Sequence, residues 1–260
     1  MFRVLQINLG RVGEAHNLLM QTSKEKMCDI LLISEPNKRM SSNWSWQVDR
    51  RGDTAIVLRN TRLKIQKKGI GNGYVYIQTN NIRFYSCYAS PNKPHDDLKD
   101  ILWHISKEMG DKGIHYIIGG DFNAKACSWG SPRTDKRGEI MLEWAESHNL
   151  AIGNQGSSHT FRRGNRGSCI DVTFCSAELS NKVAWEVLVE ETLSDHCYIY
   201  FEITKNANKE TQIKTLAPES DGGRIKRFGG IFWEADGRSQ KRNHCYEYGQ
   251  NIANDVQTKL

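Results

Sequence analysis

Six short stretches of the chain carry polar side chains able to do chemistry, each at the edge of an apolar run or within one. In Gly119-Gly120-Asp121-Phe122-Asn123, a carboxylate and an amide follow the apolar residues 115–118. Glycines there let a ligand approach the backbone, although the same composition also makes an ordinary turn. Ser194-Asp195-His196 sets a carboxylate beside an imidazole, a group that gives or takes a proton near neutral pH. Asp171 interrupts the apolar run 169–174. It either faces solvent or needs a partner, because burying a lone carboxylate is costly. His196 is the candidate partner, and such a pair would raise the imidazole pKa. Glu35 lies between residues 30–34 and Pro36. It is either a charge opening a loop or a hard oxygen ligand for a divalent cation such as Mg²⁺. Asn8 closes the run 3–8, and Tyr88 opens Tyr88-Ala89-Ser90-Pro91-Asn92. Both also fit simple turn chemistry. Asp121 and His196 are expected in loops at strand ends.

The elements that would hold these residues follow from periodicity. Residues 3–8, 30–34, 54–58, 74–78, 83–88, 115–118, 169–174, 184–189 and 197–203 are short, rich in β-branched or aromatic residues, and bounded by turn formers. Leu98, Ile101, Leu102, Ile105 and Met109 recur at helical spacing, as do Ile140, Trp144, Ala145 and His148. Ala15, Leu18, Leu19 and Thr22 suggest a third helix. Three helices among nine strands argue against a parallel doubly wound sheet and for two mixed sheets with helices outside. Residues 1–204 are expected to form one domain. From 205 to 260 the chain turns polar and loses periodicity, as a basic tail or linker does.

Composition narrows the function classes. The 260 residues hold 36 Lys and Arg against 30 Asp and Glu, a net +6 that permits nucleic-acid binding without requiring it. No apolar run approaches the roughly 20 residues of a membrane span, and residues 1–9 are broken by Arg3, Gln6 and Asn8. A soluble intracellular protein with no signal peptide is expected. Seven cysteines without a Cys-x-x-Cys pair read as reduced, packed thiols rather than a zinc site.

Taken in order, Asn8, Glu35, Tyr88, Asp121 with Asn123, Asp171, and Asp195-His196 form a specific set. On this set the chain resembles the endonuclease/exonuclease/phosphatase superfamily across residues 1–203. The resemblance implies an α/β four-layer sandwich, two mixed sheets flanked by helices. Ser128-Trp129-Gly130, Arg137-Gly138 opening a helix, and Thr160-Phe161 make the chain similar to the AP-endonuclease-like domain of arthropod-type non-LTR retrotransposons. That domain sits at the N-terminus of a polyprotein bearing a reverse transcriptase, which implies a partner domain in the same polyprotein, double-stranded DNA as substrate and a nuclear site of action. One departure is Gly10, where repair enzymes of the family carry an acid or amide.

The resemblance also implies roles. Glu35, with Asn8 and Asp195, would hold Mg²⁺ or Mn²⁺; Asp121 would orient or deprotonate the attacking water. Asn123 and Tyr88 would bind non-bridging oxygens, and His196, oriented by Asp171, would contact the phosphate. Arg137, Thr160, Ser194 and the arginines of Arg162-Arg163-Gly164-Asn165-Arg166 would bind DNA. Gly164 and Asn165 tolerate positive φ, so a tight hairpin is expected there. The alternatives are a host abasic-site repair endonuclease, an inositol or sphingolipid phosphatase of the same fold, and a binding module with a dead site. The full complement of catalytic side chains disfavours the last.

Overall fold

Apolar residues on both faces of the central strands dictate how the layers stack. In strand β2 (Ile30–Ser34) every residue is buried, so both faces of its sheet must be covered. A computed structural model describes residues 1–42 and 45–204; the expected tail, 205–260, lies outside the described residues. In chain order the strands are β1 (Phe2–Asn8), β2, β3 (Trp46–Val48), β4 (Thr54–Leu58), β5 (Lys67–Ile70), β6 (Tyr74–Thr79) and β7 (Ile82–Tyr88). They continue with β8 (His115–Asp121), β9 (Leu150–Ile152), β10 (Phe161–Arg163), β11 (Arg166–Ser168), β12 (Asp171–Ser176), β13 (Val183–Val187) and β14 (Ile199–Ile203). The helices are α1 (Gly13–Glu25), α2 (His95–Glu108) and α3 (Lys136–Ser147).

Two six-stranded sheets form, ordered β13-β14-β1-β2-β4-β3 and β5-β6-β7-β8-β12-β9, with β10-β11 as a separate hairpin. Each sheet is mixed, with a parallel pair at its centre: β1 with β2, and β7 with β8. Period-two alternation assigns the side chains to layers. Val4, Ile30, Leu32 and Ile56 join Val75, Ile77, Phe84 and Ile117 between the sheets. Their neighbours Leu5, Leu31, Ile33 and Val57 point outward and pack with Ala15 and Leu19 of α1. On the far side Tyr85, Ile118 and Phe174 meet Leu98, Ile101 and Ile105 of α2 and Met141 and Trp144 of α3. The four layers are therefore helix, sheet, sheet, helices, as expected.

The differences from the expected elements are local. Strands β3, β5 and β9 have only three or four residues and were not anticipated. Strand β8 runs on through Gly119 and Gly120 to Asp121, so Asp121 closes a strand rather than lying in a loop. The glycines permit this by close approach: a Cβ on Gly119 would stand 2.3 Å from Gln6 Oε1 of the facing sheet. One on Gly120 would stand 2.0 Å from the Cys87 carbonyl oxygen of the adjacent strand.

Toward this end of the sandwich the interior turns polar and knits the sheets together. Ser34 Oγ donates to the Cys87 carbonyl at 2.8 Å and accepts from the Asp121 N–H at 3.2 Å. Thr54 and Ser86 hydroxyls meet at 2.7 Å, and Thr173 Oγ1 donates to Gln6 Oε1 at 3.0 Å. Buried hydroxyls and amides are tolerable only when satisfied in this way. The ends of two sheets are thereby fixed against each other.

Candidate active site

Strand register alone brings the carboxylates together. Tyr88 of β7 stands opposite Asp121 of β8, and Asp121 stands opposite Asp171 of β12. In the other sheet Asn8 and Ser34 end β1 and β2 side by side, which delivers Glu35 next to Asn8. Asp121, Asp171 and His196 all converge, each less than a tenth exposed. Asp171 is therefore buried and partnered: both its carboxylate oxygens lie within 3.1 Å of His196 Nδ1. The other ring nitrogen, Nε2, points to Asp121 Oδ2 at 3.8 Å. His196 lies in the loop before β14, as expected, but is buried there, with Phe161 edge-on to its ring at 4.9 Å.

Electrostatics follow from this crowding. Burial, then the charge of Asp171 opposite, pushes Asp121 up to about 7, against the lowering pull of His196, Asn8 and the Asn123 N–H. Burial alone would lower His196, but the charge and hydrogen bond of Asp171, with Asp121 and Glu35, outweigh it and raise the imidazole to about 9. The Tyr88 hydroxyl is pushed well above its ordinary value by burial and by Glu35, with which it hydrogen-bonds. Near neutral pH the site thus holds an imidazolium, a neutral phenol and a carboxyl group poised to act as a base.

Asn8 bridges the two halves. Its Nδ2 donates to Glu35 Oε2 at 3.1 Å and to Asp121 Oδ2 at 2.8 Å, while its Oδ1 accepts from the Gly10 N–H at 2.8 Å. Its N–H₂ group thus faces the two carboxylates, and its Oδ1 is the atom able to act as a ligand. The exposed Asp195 carboxylate pairs with Arg163 Nε at 3.0 Å. Glu35 offers a further carboxylate. Its side chain is about a quarter exposed, and its donor set is hard oxygen without thiolate, which suits a divalent ion of the magnesium class. Asp121, Asp171 and His196 also lie close enough to hold an ion. Their hydrogen bonds, however, spend the inner imidazole nitrogen on Asp171, and the cluster is better fitted to proton chemistry.

Strain marks the same place. Arg11, Glu35, Asn123 and Leu193 all have φ between +45° and +63° without being glycine, at a cost of about 1–2 kcal/mol each. The backbone N–H of Arg11 donates to the Glu35 carbonyl at 2.9 Å, and Glu35 donates to that of Asp53 at 2.8 Å. At Asn123 the left-handed turn aims the backbone N–H at Asp121 Oδ1, 3.0 Å away, and the amide at the Ala89 carbonyl, 3.3 Å away. Arg11 was not singled out in the sequence. Its guanidinium donates to the Gly52 carbonyl and Asp53 and lies 3.9 Å from Glu35. The signal was a lone cation three residues after Asn8, with nothing in the pattern to say what it would meet.

Of the six residues expected at a DNA interface, three are exposed, one is half-buried and two are buried. Arg137 is buried, its guanidinium spent on the carbonyls of Phe122, Ala89 and Ser90. It clamps the loops after β7 and β8 rather than facing a ligand. Thr160 is fully buried, and its Oγ1 accepts from the Ile170 and Asp171 N–H groups, fixing Asp171. Ser194 is half-buried and ties the histidine loop to β1 through the Asn8 carbonyl at 2.7 Å. Arg162, Arg163 and Arg166 are exposed on the β10–β11 hairpin. Only Gly164 of its two turn residues takes a positive φ, as in a II′ turn, where Asn165 was expected to share it. The hairpin is clipped to the loop carrying His196 through its backbone: the Arg162 N–H donates to the Asp195 carbonyl, and that of Cys197 to the Thr160 carbonyl.

Comparison with known proteins adds to this geometry. Residues 82–200 match the family model described as endonuclease-reverse transcriptase. No curated protein matches the chain in sequence. Among solved structures, the endonuclease domain of TRAS1, a telomere-specific non-LTR retrotransposon, is 29% identical with a TM-score of 0.68, over 78% of this chain and 97% of that one. An AP endonuclease from Archaeoglobus fulgidus is 12% identical, TM-score 0.60, over 78% and 99%. An endonuclease/exonuclease/phosphatase family protein from Leptotrichia buccalis is 18% identical, TM-score 0.55, over 78% and 100%. The last two share the fold. With its two mixed sheets and converging acids, the chain has the fold of the endonuclease/exonuclease/phosphatase proteins, and its residues 82–200 are similar to the endonuclease-reverse transcriptase family.

Proposed function

We propose that this enzyme is a Mg²⁺-dependent DNA endonuclease that nicks target DNA to leave a 3′-hydroxyl from which reverse transcription is primed. The observation that carries the reading is the buried Asp121–His196–Asp171 array, joined through Asn8 to Glu35 and flanked by an arginine-tipped hairpin. The likeness to the TRAS1 domain supports the retroelement context, with a reverse-transcriptase domain of the same polyprotein as partner.

The chemistry is an in-line displacement at phosphorus. Asp121 takes a proton from water, whose oxygen forms the new bond to phosphorus as the bond to the 3′-oxygen breaks. The departing oxygen takes a proton from a solvent water and becomes the 3′-hydroxyl. His196, as an imidazolium held by Asp171, donates from Nε2 to a non-bridging oxygen. The neutral Tyr88 hydroxyl and the Asn123 amide donate to the developing charge, as fixed dipoles do without reorganising. Glu35 would hold the divalent ion, which supplies Lewis-acid neutralisation of the phosphate. Asn8 keeps the Glu35 and Asp121 carboxylates at fixed separation.

Supercoiled plasmid tests the reading. Mg²⁺ or Mn²⁺ should convert it to the open circle, chelator should stop this, and a DNA polymerase should extend the nick without prior phosphatase. Full nicking in chelator, or nicks blocked at the 3′ end, would overturn it.

A further inference from the structure

The first sheet has a second pole, away from Asn8 and Glu35, where β1 and β2 begin and β4 ends. Arg3, Asp29 and Arg59 meet there. Five residues of β1 separate Arg3 from Asn8, which at strand rise is about 17 Å. A cleft of about 410 Å³ opens at this pole, lined by Arg3, Lys24, Asp29, Arg59, Asn60 and Arg62 among others.

Hydrogen bonds build this cleft. The Asp29 carbonyl accepts from the N–H groups of Arg59 and Asn60. The Asp29 carboxylate takes the Arg3 N–H at 2.8 Å and the Asn60 amide at 2.6 Å. Asn60 Oδ1 in turn accepts from the Arg62 N–H at 3.0 Å, an Asx turn that sets the direction of the loop. The only acid lining the cleft is thus bonded to backbone and amide groups, and it neutralises no guanidinium by direct contact. Arg3 pairs with Glu202 at 3.2 Å, whereas Arg59 and Arg62 are in no ion pair among the described residues. Four cations against Asp29 and Glu202 leave a net +2 at the cleft. The surrounding chain reinforces it, since residues 54–95 contain no Asp or Glu at all.

We propose that this cleft is a second nucleic-acid site, which takes the phosphodiester backbone of a strand separate from the duplex in the active site. Guanidinium forks match phosphate oxygens bidentately. Among the described residues no aromatic side chain lines the cleft, so bases are not stacked and the strand is held by its phosphates without regard to sequence. A straight duplex lying across the catalytic pole does not reach the opposite one, so the occupant is a second segment.

The test uses the full chain carrying Arg59→Gln and Arg62→Gln. Binding of a fluorescent oligo-dT of about 20 nucleotides is followed against salt, beside nicking of a duplex just long enough to cover the active site. With two phosphates no longer neutralised, the salt slope for the oligo-dT should become shallower by about 1.4. Short-duplex nicking should stay within about twofold of wild type, and R59K/R62K should restore the slope. Should the double variant lose thermal stability, Arg62→Gln alone, at an exposed position, should give half the change in slope. An unchanged slope overturns the proposal. So does a parallel loss of short-duplex nicking, which would place these arginines in the active-site footprint. Equal affinity for a tetranucleotide and the longer strand would also overturn it, as a pocket for a single phosphate.

Discussion

His196 and Asp121 face each other across 3.8 Å inside the protein, and the charges around them have shifted both in the direction catalysis needs. Asp121 acts as base only when ionised, so activity should rise as pH passes about 7. His196 neutralises phosphate only when protonated, so activity should fall as pH passes about 9. A bell-shaped profile of single-turnover nicking with those two limbs is expected, its apparent values belonging to the coupled cluster. A flat profile through both limbs would remove these groups from the chemistry. Arg11 is a positioning residue of the same centre, its fork holding the loop behind Glu35. Arg11→Lys keeps the charge but loses the fork, so nicking should slow about tenfold, the cost of about 1.4 kcal/mol of misplacement. The Mg²⁺ concentration for half-maximal rate should rise with it. A variant with wild-type metal response would make Arg11 merely structural. That Asn8, Glu35, Asp121, Asp171 and His196 converge was legible in the sequence, because polar residues ending apolar runs have few bland explanations when they occur in a fixed order. The burial of Arg137 and Thr160 was not legible, because a side chain's type does not reveal its burial, and both bond to the backbone.

Among the elements, the β10–β11 hairpin has the clearest consequence for target choice. Its arginines project into solvent, while its backbone is bonded to the loop carrying His196. Neutralising Arg162, Arg163 and Arg166 should weaken DNA binding and flatten its salt dependence by about 2.7 in slope if each meets one phosphate. Hydrolysis of a small phosphodiester should persist, because the backbone bonds to the histidine loop survive and the exposed Arg163–Asp195 pair contributes little to stability. Wild-type cleavage positions and salt slope in the triple variant would move target selection elsewhere. The long strands and all three helices could be read from their periodicities. Strands β3, β5 and β9 could not, since three or four residues give alternation too little length to register. Strand β8 was cut short at residue 118 because paired glycines look like a turn. Here they are what lets the strand continue against Gln6 and Cys87.

On the scale of the whole molecule, each sheet supplies half of the centre. The first gives Asn8 and delivers Glu35; the second gives Tyr88, Asp121 and Asp171, and the polar interior of Ser34, Thr54, Ser86 and Thr173 locks the two together. Two packed mixed sheets were legible from the excess of strands over helices, but the cross-sheet hydroxyl network was not, because Ser and Thr in a strand are ordinary until their partners are known. The central claim is that the two halves act as one nuclease centre. A double-mutant cycle of Glu35→Gln and Asp121→Asn, read by single-turnover plasmid nicking, tests it most directly. Each single change should cost on the order of 10²-fold or more. The double variant should fall little below the worse single, because groups acting as a unit are strongly non-additive. Multiplying losses, or near-wild-type nicking by either single variant, would contradict the account.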